Sequence, residues 1–293
     1  MLDFIFIAVG LVGLVWSSDK FVESAAAIAY HAGMSPLVIG MTIVSLGTSA
    51  PEVVVSIIAS VSGSGELAVG NALGSNITNV GLVLGITLLI RSITIDARTT
   101  KRELPQMVIV TLLAGALMVD GVLSIADGFC LLLVLVIFLT LLARRESTAE
   151  DSADSDPKLT RLKAWGVFFI GFALLVFSSR LLVLGAVNMA IALGVSELVI
   201  GLTIVAIGTS LPELAASVMS ALKGHSDIAI GTIVGSNVFN LLVVLAAPGL
   251  FGPLTLNVNV MSRDWPVTIL TTAALMLLAL LAYRHAKYDE AGN

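Results

Sequence analysis

One stretch occurs twice in the chain, 161 positions apart, and this repeat constrains the fold more than any other feature. Residues 40–52 read GMTIVSLGTSAPE, and residues 201–213 read GLTIVAIGTSLPE. By direct count, 14 of the 20 positions that end at Glu52 are identical to the 20 that end at Glu213. The sequence therefore indicates an internal duplication in which each half carries a glutamate inside an apolar run.

The composition places the chain in a membrane. Its 293 residues are 57% hydrophobic and 12% charged, with a mean hydropathy of +1.04. Soluble domains carry about 25% charged residues, so this chain falls in the membrane class. The net charge of −5, with no basic patch outside short loops, gives no reason to expect a nucleic-acid partner. The expected surroundings are a lipid bilayer, and the sequence allows a homo-oligomer.

Nine segments have the length and apolar character of membrane-spanning helices, which take about 20 residues. They lie near residues 2–27, 36–61, 68–90, 105–120, 126–143, 164–190, 196–221, 228–249 and 265–283. We interpret the polar residues 144–163 as a cytoplasmic linker between two halves. The first half, residues 1–143, holds five spans and the second, residues 164–293, holds four. The predicted fold class is an all-α polytopic membrane protein.

Lysines and arginines predict the orientation, because short cytoplasmic loops carry their excess. With the N-terminus outside and the C-terminus in the cytoplasm, Arg263 is the only cation in an outer loop. Five spans in the first half then start the second half from the opposite side of the membrane. The two repeats are therefore inverted about an axis in the membrane plane. The fifth span of the second repeat would begin near residue 286, where the sequence ends, so either the protein does without it or the sequence is a piece of a longer chain.

A proline precedes the glutamate in each copy. Pro51 lacks an N–H and its ring clashes with the carbonyl four residues back, so we expect the helix to weaken or break around residues 45–47. The same holds around Ala206, before Pro212. Carbonyls freed at membrane depth survive only where they line a cavity or bind something. Hydroxyls and a carboxylate surround each break: Thr48, Ser49 and Glu52 in the first copy, and Thr209, Ser210 and Glu213 in the second.

A companion stretch, GNALGSNITN at 70–79, returns as GTIVGSNVFN at 231–240. Its glycines have small-xxx-small spacing, which lets helices approach closely. Two polar pairs lie four residues apart and hence on one helix face: Ser75 with Asn79, and Ser236 with Asn240. We expect the inverted repeats to bring four of these side chains to one midplane site: Glu52, Glu213, Asn79 and Asn240.

The predicted site suits hard cations. Carboxylate, hydroxyl and carbonyl oxygens are ligands for Ca²⁺ and Na⁺, whereas zinc or copper would call for histidine or cysteine. Two formal negative charges balance either one Ca²⁺ or two Na⁺, and an exchanger needs a site that can bind either load. Two carboxylates close together also repel each other, so protons are plausible competitors. An intramembrane glutamate is a functional-site hypothesis by default, because its burial is so costly.

The doubled motifs resemble the two α-repeats of the calcium/cation antiporter superfamily, and within it the prokaryotic sodium/calcium exchanger family. The likeness lies in GTSAPE at 47–52 with GSNITN at 74–79, and in GTSLPE at 208–213 with GSNVFN at 235–240. It covers nearly the whole chain, with the repeats at 40–79 and 201–240. The resemblance implies ten helices, of which the second and seventh are broken and the third and eighth complete the site.

The resemblance also implies a ligand set. Glu52 and Glu213 would bind both Ca²⁺ and Na⁺, with backbone oxygens at Ser45 and Ala206 completing the sodium sites. The implied hydroxyl ligands are Thr48, Ser49, Thr209, Ser210, Ser75 and Ser236. The first and sixth helices would slide across this core to open it to alternate sides. Position 240 is asparagine where some relatives have aspartate, so this site has one titratable group fewer.

The sequence thus predicts an antiporter of the plasma (inner) membrane that exports Ca²⁺ in exchange for Na⁺ and needs no cofactor. A Ca²⁺/H⁺ antiporter is the first alternative, and a cation channel lined by the broken helices is the second. An enzyme is not expected, because the polar groups include no activated base and no nucleophile triad.

Overall fold

A computed structural model of the chain describes residues 2–143, 159–195 and 206–291, and these are mostly helical. Six of the described helices are long and apolar enough to cross a membrane, and a bent pair can count as a seventh span. The predicted class of polytopic helical membrane protein is confirmed. The number of nine spans stays a prediction, because residues 196–205 of the seventh lie outside the described residues. Most of the predicted linker, residues 144–158, lies outside them too.

We number the described elements in chain order. The helices of the first half are α1 (Leu2–Ala32), α2 (Pro36–Thr48), α3 (Ala50–Val61), α4 (Gly65–Ile90), α5 (Leu104–Met118) and α6 (Ile125–Ala143). Those of the second half are α7 (Arg161–Ala192), α8 (Ala206–Thr209), α9 (Leu211–Leu222), α10 (Ser226–Leu250) and α11 (Trp265–Ala291). Two short strands, β1 (Val122–Leu123) and β2 (Leu254–Thr255), pair antiparallel.

The duplication is visible in the helix bounds. Helix α9 begins and ends 161 residues after α3, and a π-helical turn at Asn79–Leu84 is matched by one at Asn240–Val244. Gly33 and Gly194, just after the first helix of each half, have φ of +62° and +78°. Glycine adopts this left-handed conformation without steric cost. The duplicated sequence therefore produces duplicated local structure.

The first span of the repeated motif is broken, but later than the sequence predicts. Helices α2 and α3 meet at Ser49 and differ in direction by 46°. Pro51 stands in the first turn of α3, where an N–H has no helical partner in any case. The Ser49 N–H still donates to the Ser45 carbonyl at 2.9 Å. The expectation of a break around residues 45–47 is therefore wrong by a few residues, because the proline starts a new helix.

Helix α10 is the central helix of the described structure, and 94% of its apolar stretch is buried. Helix α2 crosses it with direct backbone contact at two glycines. A methyl group added at Gly231 would lie 2.7 Å from the Leu37 carbonyl oxygen, and one at Gly235 would lie 2.6 Å from that of Met41. The small-xxx-small pair of the second copy thus lets the two helices touch.

The glycine pair of the first copy has no such neighbour among the described residues. A methyl group at Gly70 or Gly74 of α4 would meet no described atom within 4 Å. Residues 201–202, which correspond to Gly40 and Met41, lie outside the described residues. The close packing predicted for the first glycine pair is therefore not tested.

Helices α1 and α7, the first of each half, pack against each other along their length. Glycines again permit the approach. A methyl group at Gly10 would lie 2.7 Å from the Leu182 nitrogen, and one at Gly171 would lie 3.1 Å from the Phe21 nitrogen. Near one end of the pair, the Asn188 side chain donates to Asp3 Oδ1 at 3.0 Å. The α1–α7 pair forms one continuous unit beside the broken helices.

Candidate functional site

Both repeated glutamates are buried at the start of a helix. Glu52 lies in the first turn of α3 with 1% of its surface exposed, and Glu213 lies in the first turn of α9 with 2% exposed. Each follows the proline that starts its helix. The positive end of a helix dipole favours a negative charge at this position. The local sequence therefore explains why both carboxylates are placed at breaks rather than within continuous helices.

Side chains of the first copy reach the second across the centre of the molecule. The Ser49 hydroxyl donates to Glu213 Oε1 at 3.1 Å, and the Thr48 hydroxyl lies 3.5 Å from that of Ser236. All four of these residues are buried. The two copies, 161 residues apart in sequence, thus contribute to one polar centre.

Asparagines of α4 and α10 form a second layer of contacts. The Asn79 side chain donates to Asn237 Oδ1 at 3.1 Å, and the Asn76 side chain donates to the Asn237 backbone carbonyl at 3.1 Å. Asn76 and Asn237 are themselves matching positions of the two copies. Contact between matching positions places them beside the pseudo-symmetry axis. Asn76 therefore bonds a backbone carbonyl of the other half, whereas the Asn237 side chain accepts a hydrogen bond from the predicted ligand Asn79.

Several buried oxygens at the site have no hydrogen-bond partner among the described residues. They are Glu52 Oε2, Glu213 Oε2, Asn79 Oδ1, Asn240 Oδ1 and Ser210 Oγ. Buried polar atoms are normally satisfied, and an unpaired one is costly. Four of the five are carboxylate or amide oxygens, which can only accept. A hard cation is the kind of partner that such a set of acceptors lacks.

The remaining predicted ligands differ in burial. Ser75 and Ser236 are buried, whereas Thr209 is half-buried. Ala206 is the first described residue of α8. The Ser45 carbonyl is not freed by the break, because it accepts the Ser49 N–H at 2.9 Å and the Thr48 hydroxyl at 3.3 Å.

Two residues near the site were missed by the sequence reasoning. The Asn71 side chain donates to the Glu52 carbonyl and to the Ser56 hydroxyl, both at 3.1 Å, and so ties α4 to α3. Its counterpart in the second copy is the buried Thr232, so a polar residue occurs at this position in both copies and could have been noticed. Arg180 of α7 lines a cavity beside the two breaks. A charged residue deep in an apolar helix is itself a signal of function, and it could have been found.

The cavity has a volume of about 50 Å³ and lies between α7 and both broken segments. Its lining residues are Pro51, Val176, Ser179, Arg180, Val183, Gly208, Thr209 and Pro212. The Ser179 hydroxyl donates to the Gly208 carbonyl at 3.1 Å, which attaches α7 to the second break. The cavity therefore adjoins the residue before each buried glutamate.

Known proteins are similar to this chain in sequence and in fold. The chain matches the protein family described as sodium/calcium exchanger protein over residues 2–144 and 163–290. It is 45% identical to the putative antiporter CaxA of Alkalimonas amylolytica, over 94% of this chain and 89% of that protein. It is 40% identical to the inner membrane protein YrbG of Escherichia coli (strain K12), over 97% of this chain and 90% of that protein.

The fold is also similar to a solved structure of the sodium-calcium exchanger NCX_Mj, soaked with Na⁺ and Sr²⁺. The TM-score is 0.83 at 32% sequence identity, and the match covers 95% of this chain and 91% of the other. At this coverage the likeness extends through both halves of the chain.

Proposed function

Since the chain belongs to the sodium/calcium exchanger family, whose members are membrane transporters of ions rather than enzymes, we propose that it exchanges Ca²⁺ for Na⁺. Transport would proceed by alternating access to one site at the centre of the membrane. The ions are the substrates, and the family uses no cofactor.

The pair of buried glutamates carries this proposal. Glu52 and Glu213 come from opposite halves, and Ser49 of the first half donates to Glu213 of the second. Each carboxylate keeps one oxygen without a partner among the described residues. Two negative charges surrounded by oxygen groups match one Ca²⁺ or two Na⁺. We propose the ligand set Glu52, Glu213, Asn79, Asn240, Thr48, Ser49, Thr209, Ser210, Ser75 and Ser236, with backbone oxygens at Ser45 and Ala206. The Ser45 carbonyl would bind an ion in exchange for the hydrogen bond that it accepts from the Thr48 hydroxyl.

A Ca²⁺/H⁺ antiporter is the second candidate, and the same carboxylates favour it, since each can take up a proton. The hydroxyl groups beside them distinguish the two functions. Thr48 and Ser49 are fully buried at the break, and hydroxyl oxygens are ligands for Na⁺ but are not needed to bind a proton. We therefore propose Na⁺ rather than H⁺ as the counter-ion.

We further propose an inner-membrane location, with two inverted halves at residues 1–143 and 164–293 and the N-terminus outside. Contacts between the ends of helices support the grouping of loops. Asp3 contacts Asn188, and Val122 pairs with Thr255, all in segments assigned to the outside. Lys101 lies 4.9 Å from the ring centre of Tyr283, both in segments assigned to the inside. Labelling of a cysteine introduced at Arg263 from the cytoplasmic side only would overturn this orientation.

The test is ⁴⁵Ca²⁺ uptake into proteoliposomes loaded with Na⁺ and diluted into Na⁺-free buffer. We expect uptake that requires internal Na⁺ and is lost in Glu52→Gln and in Glu213→Gln. Glu66→Gln is the matched control, because Glu66 is an exposed glutamate at the start of α4. Uptake driven equally well by a proton gradient would favour the second candidate. Uptake without any counter-ion gradient would indicate a channel.

A further inference from the structure

Arg180 is a charged residue at an unexpected depth. It lies well inside α7, a 32-residue helix of high hydropathy, and more than ten residues from either end. A guanidinium at such a depth is costly in lipid and normally faces the protein interior or a water-filled cavity. The Arg180 side chain is exposed, yet it lines the cavity shared with Pro51 and Pro212. It therefore borders the cavity beside both breaks rather than a packed core.

The two halves differ in charge at this position. The residue that matches Arg180 in α1 is Asp19, which is paired with Lys223 at 2.8 Å and with Lys20 at 3.4 Å. The residue that matches Lys223 is Ser62, which carries no charge. Among the described residues, Arg180 forms no ion pair. One half therefore has a paired acidic residue where the other has an arginine without an ion pair to any described residue.

The positive charge of Arg180 acts on the ion site. Arg180 lines the same cavity as Pro51 and Pro212, which are the residues directly before Glu52 and Glu213. Any cation between Glu52 and Glu213 is repelled by the same charge. Because the repulsion is proportional to the charge of the ion, it weakens the binding of a divalent cation twice as much, in free energy, as that of one monovalent cation.

We propose that Arg180 is a specificity-determining residue: a fixed positive charge in the cavity beside the site that lowers its affinity for one divalent cation more than for one monovalent cation. This inference rests on the proposed binding of Ca²⁺ and Na⁺ at that site. For two charges about 10 Å apart and an effective dielectric constant of about 50, Coulomb's law gives about a threefold change in affinity per unit of ion charge. Removing the charge should therefore tighten Na⁺ binding about threefold and Ca²⁺ binding about ninefold.

The experiment measures equilibrium binding of ⁴⁵Ca²⁺ and ²²Na⁺ to the purified full-length protein at fixed ionic strength. Arg180→Gln should tighten Ca²⁺ binding by about the square of its effect on Na⁺, and Arg180→Glu should tighten both further. Arg180→Lys keeps the charge and should bind like the wild type. Arg263→Gln is the matched control, since its exposed side chain is paired with Asp264 away from the cavity.

Equal shifts for Ca²⁺ and Na⁺, no shift in Arg180→Gln, or the same shift in Arg180→Lys would overturn the inference. An absence of saturable ⁴⁵Ca²⁺ binding in the wild type would instead overturn the proposed function. Size-exclusion profiles identify variants that fail to fold, and the lysine and glutamate variants keep the test valid if the glutamine variant is one of them.

Discussion

Gly235→Ala should disrupt the contact between α2 and α10, whereas Gly81→Ala, at an exposed position of α4, should not. A methyl group at Gly235 would lie 2.6 Å from the Met41 carbonyl oxygen and 2.7 Å from the Met41 Cα. These are backbone atoms, so no rotation of a side chain can relieve the clash. At Gly81 the same methyl group meets no described atom within 4 Å, and the matching position of the other half holds Leu242, so the duplication repeats no close glycine contact there.

The magnitude follows from two opposing effects. Alanine is favoured over glycine within a helix by about 1 kcal/mol, and both variants gain this amount. Only Gly235→Ala has to separate two packed helices, and overpacking of this kind costs about 1–3 kcal/mol. The gain cancels in the comparison, so the Gly235 variant should be less stable than the Gly81 variant by about 1–3 kcal/mol. For a protein of this size that difference lowers the melting temperature by roughly 2–4 °C per kcal/mol.

The assay is thermal unfolding of both variants in detergent, followed by size-exclusion chromatography, together with ⁴⁵Ca²⁺ binding. Ser236 follows Gly235 and lies against Thr48, so the displaced helix should also weaken ion binding. A Gly235→Ala protein with a melting temperature equal to or above that of Gly81→Ala would refute the close packing of α2 on α10.

Two further predictions concern Asn237 and His225. Asn237→Ala leaves the buried Asn79 amide without its acceptor. This change should lower the free energy of unfolding by about 1–3 kcal/mol and weaken ⁴⁵Ca²⁺ binding. Asn188→Ala, which removes an exposed hydrogen bond, is the control, and equal effects of the two substitutions would contradict the prediction. Burial, with the nearby charge of Lys223, lowers the pKa of His225 below 6.5. Because the unfolded chain binds this proton more readily, the melting temperature should fall as the pH drops below about 6.5. His225→Gln should make that fall smaller. A pH profile that is unchanged in the variant would argue against a half-buried neutral histidine.

Much of the site follows from local chemistry that is legible in the sequence. A proline without an N–H has to begin or break a helix, so the positions of Pro51 and Pro212 predict where the two broken spans lie. A glutamate in an apolar run requires a reason for its burial, and Glu52 and Glu213 are both buried at these breaks. Because the two copies are offset by a constant 161 residues, what is expected of the first copy is expected at the matching positions of the second. These features depend on near neighbours in the chain, and therefore composition and spacing are enough to predict them.

Other features depend on how the halves pack and could not be predicted. Periodicity does not show that Ser49 donates to Glu213 across the centre, or that Asn237 holds Asn79. The depth of Arg180 is evident from the sequence, but its place in the cavity between the two prolines is not. Each of these contacts joins residues more than 100 positions apart, or depends on the direction of a side chain relative to another helix. By itself the sequence determined the duplicated broken helices and their carboxylates, while the tertiary structure decided which groups meet, because those meetings depend on the approach of one helix to another.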